Sequence, residues 1–148
     1  MRWTNKCKPF RDEALRCFEK HWSTVTELDE DQCAALREEF CRRYMCEHST
    51  IFEQHFERDS IKLARLLGIK TTRDRKQLIA SSPKDTVRAR YYMPCSDRPI
   101  GFELEGDGVR VADLFVLHDD SFAIITTGKQ TFALLHFHHM TIGRFESK

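Results

Sequence analysis

The chain has 148 residues, 41% hydrophobic and 32% charged, which suits one ordinary domain or a small module and excludes disordered and membranous classes. Its net charge of +1 excludes a uniformly basic or acidic coat. No apolar run approaches the roughly 18–20 residues that span a bilayer.

In chain order, the opening MRWTNKCKPF is mixed and polar and carries no secretory h-region. Asp12 and Glu13 then interrupt the acid-free helix of a mitochondrial transit peptide, so export from the cytosol, if it occurs, is expected without a cleaved leader. Leu15 and Phe18, with Cys7 and Cys17, predict a helix over about Lys6–Lys20, with Pro9 tolerated in its first turn. The segment His21–Glu30 reads as a connection, and Asp29 or Asp31 caps a second helix whose stripe is Ala34, Ala35, Leu36, Phe40, Tyr44 and Met45. Ser49-Thr50 followed by Glu53 is a capping box opening a third helix, with Ile51, Phe52, Phe56, Leu63, Leu66 and Leu67 inside and Gly68 as its stop.

From Ile69 to Asp85 the composition turns to Lys, Arg, Thr and Ser, as in a linker. After Val87 the period becomes that of strands: VRARYY, IGFELE, VRVADLFVL, SFAIITT and TFALLHFHH, with short polar breaks that favour an antiparallel meander. The expected fold is therefore α+β. An N-terminal disulfide-linked antiparallel helical hairpin with a third helix occupies 1–68, a basic linker 69–86, and a C-terminal antiparallel β-meander 87–148.

Five of the six cysteines lie between Cys7 and Cys46. Facing residues of an antiparallel helix pair have nearly constant index sums, so Cys7 with Cys41 and Cys17 with Cys33 are compatible with one hairpin. The offset between the two bridges is about 3 Å at 1.5 Å of rise per residue. Buried free thiols are an alternative, and a zinc site from Cys33, Cys41, Cys46 and His48 is another, though no C-x2-C knuckle is present. Cys46 and Cys95 are left over, either paired with each other or free.

The run CKPFRDEALRC followed by FEKHW resembles the coiled-coil-helix-coiled-coil-helix family, the twin C-x9-C proteins. The second half has C-x7-C between Cys33 and Cys41 where that family has C-x9-C. The resemblance covers about a quarter of the chain. It implies oxidation in the mitochondrial intermembrane space and a role as an accessory subunit or assembly factor.

Residues 58–90 carry ten basic and three acidic side chains, a net of +7. Lys62, Arg65, Lys70, Arg73, Arg75, Lys76, Arg88 and Arg90 form the candidate partner-binding block. An acidic protein surface or anionic lipid is the expected partner, with nucleic acid as the lesser alternative because no RNA-binding motif accompanies the charge. His136 and His138 share one face of a strand, about 7 Å apart, and would need His118 or Asp113 to complete a metal site. The plainer reading, imidazoles on a polar strand face, is preferred, and no metal or cofactor is expected.

G-x-S-x-G, P-loop, G-x-G-x-x-G, H-E-x-x-H and C-x-x-C signatures are all missing from the sequence. The expectation is a non-catalytic accessory subunit of a mitochondrial inner-membrane assembly, a respiratory complex or the ATP synthase. The rivals are an RNA-associated, mitoribosomal protein and a cytosolic regulatory protein with reduced cysteines.

Overall fold

The computed structural model describes residues 7–40, 42–43, 86–95, 98–107, 121–128, 131–137 and 140–146. Along these the chain forms α1 (Lys8–His21), β1 (Thr24–Glu27), α2 (Glu30–Phe40), β2 (Thr86–Met93), β3 (Ile100–Asp107), β4 (Ser121–Thr126), β5 (Thr131–Phe137) and β6 (Met140–Glu146). It is an α+β arrangement in which the strands make one six-stranded sheet in the order β1-β3-β2-β4-β5-β6, every pair antiparallel. The last three strands are consecutive neighbours, as in a meander. β3 instead folds back to the far side of β2, so that β2 pairs with β4.

The period-two alternation of β2 and β3 gives the sheet two distinct faces. Val87, Ala89, Tyr91 and Met93 share the first face with Ile100, Phe102 and Leu104, and all seven are buried. Arg88, Arg90 and Tyr92 share the second with Gly101, Glu103 and Glu105. In β4, Ala123 and Ile125 continue the first face, Phe122 and Ile124 the second, and all four are fully buried. A strand apolar on both sides belongs inside a covered sheet, and β4 lies between β2 and β5.

The two helices cover opposite faces. Phe18 of α1 meets Tyr91 and Phe102 edge-on, with ring centroids 5.1 and 5.5 Å away, and Ala14 and Trp22 join the same cluster. Phe40 of α2 stacks on Phe122 at 4.0 Å, and Phe122 in turn stacks on Tyr92 at 5.0 Å, all on the second face. The expected helical hairpin is thus replaced by a helix on each side of a sheet. The segment 21–30, read as a connection, holds β1, which pairs with β3 from Thr24↔Glu105 to Glu27↔Phe102. Two further backbone bonds extend that pairing, Ser23 N–H to Glu105 O at 2.8 Å and Leu28 N–H to Gly101 O at 2.9 Å. Through β1 the N-terminal segment enters the same sheet as the C-terminal strands.

α2 begins with a reciprocal cap: the Gln32 N–H donates to Asp29 Oδ1 at 2.8 Å and the Asp29 N–H donates to Gln32 Oε1 at 2.9 Å. Asp29, one of the two expected caps, fills the role. The third helix expected over 51–67, the linker 69–85 and the strand expected over 109–117 lie outside the described residues. Among the described residues, no helix is long and apolar enough to cross a membrane.

The approach of α2 to β3 is set by a glycine. A Cβ on Gly101 would lie 2.5 Å from Cys33 Sγ and 3.2–3.3 Å from two Leu28 carbons. Gly101→Ala is expected to destabilise the fold by about 1–3 kcal/mol, the usual range for overpacking. Removing the sulfur in a Gly101→Ala/Cys33→Ala double variant should recover part of that loss. Urea titration of the single and double variants measures the coupling, and strictly additive effects would show that Cys33 does not set this spacing.

Candidate functional site

Residue chemistry concentrates at two places, the cysteines around α1 and α2 and the carboxylate–guanidinium contacts on the second face. Cys7 caps the start of α1, is fully buried, and is disulfide-bonded to Cys95, which follows β2. The Cα atoms are 6.2 Å apart and the sequence separation is 88. Cys95 packs against the first-face core cluster, so the bond fastens the beginning of α1 to the end of a central strand.

This pairing replaces Cys7 with Cys41, and Cys17 and Cys33 are free thiols rather than partners of each other. The physical reason lies in the fold: Cys17 is on the helix of the first face and Cys33 on that of the second, with the sheet between them. The index-sum argument holds only for helices lying side by side. Cys41 and Cys46 fall outside the described residues.

The two free thiols differ. Cys17 is half-buried on α1, whereas Cys33 is fully buried between α2 and β3, its Sγ 4.0 Å from the Leu28 carbonyl. Burial pushes the Cys33 thiol up from the ordinary 9.0 to about 11, against the opposing field of Arg98. Because the thiolate is the nucleophile, its burial and raised pKa both disfavour reaction at Cys33. Below pH 9.0, alkylation of the folded protein should label Cys17 and leave Cys33 unmodified until denaturant is added, as peptide mass spectrometry would show. The same raised value contributes stability below pH 9.0, where the thiol is neutral in both folded and unfolded chains. That contribution is lost as pH rises from 9.0 through about 11, where only the unfolded chain has ionised.

On the second face, the Arg90 Nη1–H donates to Glu39 Oε1 at 3.1 Å, and its other terminal nitrogen reaches the second oxygen of the same carboxylate. This two-pronged contact ties β2 to α2. Arg88 lies 3.6 Å from both Glu103 and Glu105 on the neighbouring strand, well exposed to solvent. Such exposed pairs are worth roughly 0–1 kcal/mol each. On the first face, Arg11 Nε–H donates to Glu27 Oε2 at 2.5 Å and an Nη1–H donates to Asp12 at 2.9 Å, which raise the Arg11 pKa.

Of the basic block, then, Arg88 and Arg90 are matched by carboxylates within the fold. Lys62, Arg65, Lys70, Arg73, Arg75 and Lys76 lie outside the described residues. His136 sits on β5 opposite Ser121 and Thr141, and His138, His139, His118 and Asp113 lie outside the described residues. Among the described residues, no three His, Cys, Asp or Glu side chains converge to hold a metal ion. Cys95, left over in the sequence reading as either free or paired with Cys46, is instead the partner of Cys7.

Comparison of the chain with family models, with curated proteins and with solved structures gave no match.

Proposed function

We propose that this chain is a non-catalytic structural subunit of a larger mitochondrial assembly at the inner membrane, a respiratory complex or the ATP synthase, oxidised in the intermembrane space. The observation that carries the reading is the Cys7–Cys95 disulfide at the junction of α1 and the sheet, with Cys7 buried and Cys95 partly buried. Disulfides of this structural kind persist in oxidising compartments and are rare where thioredoxin and glutathione keep thiols reduced. Among oxidising compartments, the intermembrane space is proposed on the C-x9-C spacing of Cys7 and Cys17 in the sequence alone, since Cys17 is free and the twin bridges of that family are replaced by Cys7–Cys95.

The described charged side chains support a cohesive role. Arg90 holds Glu39 across from β2 to α2, and Arg11 holds Glu27 across from α1 to β1. The positive charge of Lys62, Arg65, Lys70, Arg73, Arg75 and Lys76 in the sequence is then the candidate for attracting an acidic subunit or an anionic lipid headgroup.

The test is affinity purification of the tagged chain from fractionated mitochondria after immediate thiol blocking. The reading expects co-purification with an inner-membrane complex and recovery of a peptide pair joined through Cys7 and Cys95. A fully reduced chain confined to the cytosol would overturn it. Salt-sensitive RNA binding lost on neutralising Arg73, Arg75 and Lys76 would move the assignment to an RNA-associated protein.

A further inference from the structure

Among the described residues, the first turn of α1 is joined to the sheet by sulfur. Lys8, Pro9 and Phe10 are exposed, and the first residue of α1 that enters the core is Ala14. The N-cap position carries no side-chain hydrogen bond, and the first turn has no acidic residue. Lys8 instead places a positive charge at the positive end of the helix dipole. The contacts of this turn include the Arg11 N–H to Cys7 O bond at 3.0 Å, the part-buried Arg11–Glu27 pair, the Arg11–Asp12 bond at 2.9 Å and the Cys7–Cys95 bond. Of these the Cys7–Cys95 bond alone ties the turn covalently to the sheet, against the freedom that four released residues would regain.

The next residues are suited to start a helix. Asp12 is an N-cap type whose carboxylate can accept from the second or third N–H that follows, and Glu13 suits the first helical position. From Ala14 onward, Phe18 and Trp22 anchor the helix to the sheet independently of the disulfide.

We infer that the Cys7–Cys95 bond is a redox latch on the first turn of α1, whose opening moves the helix start from Lys8 to Glu13 and frees residues 8–11 while the sheet and α2 stay folded. The chemistry balances with a dithiol reductant. It supplies two electrons and two protons, the sulfur–sulfur bond breaks, Cys7 and Cys95 become thiols, and the reductant becomes its own disulfide. The inference shares its disulfide with the proposed function but needs neither the compartment nor the partner.

Pulsed hydrogen exchange on the full-length chain, oxidised or reduced with a dithiol, tests this. In the oxidised form the amides of 11–15 are bonded within the helix; with Asp12 as the cap they lose those acceptors. They should therefore exchange about tenfold faster or more after reduction, while 16–21, α2 and the β2–β4 strands remain undeuterated on the same short timescale. Asp12→Ala gives an independent reading. It should leave the oxidised pattern at 16–21 unchanged but extend the loss beyond Arg16 in the reduced protein, where Asp12 would otherwise cap. Trypsin should cut after Arg11 at least about tenfold faster in the reduced form. Unchanged exchange at 11–15 on reduction, or loss of protection throughout the chain, would overturn the latch. Unchanged exchange beside an intact Cys7–Cys95 peptide pair from mitochondria would remove the latch and leave the proposed function standing.

Discussion

Cys95→Ser is expected to lower the free energy of unfolding by about 4–5 kcal/mol, the chain-entropy value for a closed loop of this size. The estimate follows from the sequence separation of 88 between Cys7 and Cys95, which makes the bond restrict the unfolded chain over more than half its length. Cys7→Ser should cost the same, and the double variant no more than either single one, because both remove one bond. Cys17→Ser is the control. It removes a half-buried thiol outside the bond and should stay within about 1 kcal/mol of the parent. Urea titrations with thiols blocked provide the measurement. A large loss in Cys17→Ser together with a negligible one in Cys95→Ser would restore the pairing of Cys17 with Cys33. Against a total stability of about 5–15 kcal/mol, the expected loss leaves a domain that folds but melts much earlier.

Phe18→Ala should cost about 3–5 kcal/mol, enough to consume most of what a reduced chain retains. Phe18 is fully buried and touches both central strands of the first face, Tyr91 from β2 and Phe102 from β3, in edge-to-face geometry near 70° and 74°. Such ring pairs add about 0.5–1.5 kcal/mol beyond the burial of area. Truncation therefore loses the apolar transfer of the ring, two aromatic contacts, and the anchor holding the middle of α1. Phe18→Leu, which refills most of the volume, should recover at least half of the loss. Phe40→Ala is the matching experiment on the other face, where the ring stacks on Phe122 within 22° of parallel. If Phe18→Ala shifts the midpoint by less than about 1 kcal/mol, α1 is not held by this face.

Much of the sheet was legible because β2 and β3 alternate apolar and polar side chains almost without error. In β2, Val87, Ala89 and Tyr91 are buried between Arg88 and Arg90. The apolar run of β4 was legible as a strand, and Asp29, one of two expected caps, was legible at the start of α2, though its partner Gln32 was not named. What failed to show was non-local. TVTE is too short to display a period, and it is a strand only because β3 offers its edge. Glycine at 101 reads as a weak point inside IGFELE, but its cause is the sulfur of Cys33, which only the packed fold brings there. The cysteine hairpin assumed that helices adjacent in sequence lie adjacent in space, and β1 breaks that assumption. The candidate site followed suit. Of the two cysteines expected to bridge from the first helix, Cys17 is free and Cys7 is bonded, but to Cys95 across the fold, and the two arginines legible as a partner surface are answered by Glu39, Glu103 and Glu105.

Because β1 runs along the sheet's edge, residues 7–40 grip the sheet from both sides like the jaws of a clip. The hinge of that clip is late, since β3 is the only strand β1 pairs with among the described residues and Ile100–Asp107 must be made first. At about 5–20 residues per second, synthesis leaves Phe18 and Phe40 without their aromatic neighbours for several seconds. Helices of 14 and 11 residues are marginal on their own, so α1 and α2 are expected to settle only once β2, β3 and β4 supply Tyr91, Phe102 and Phe122.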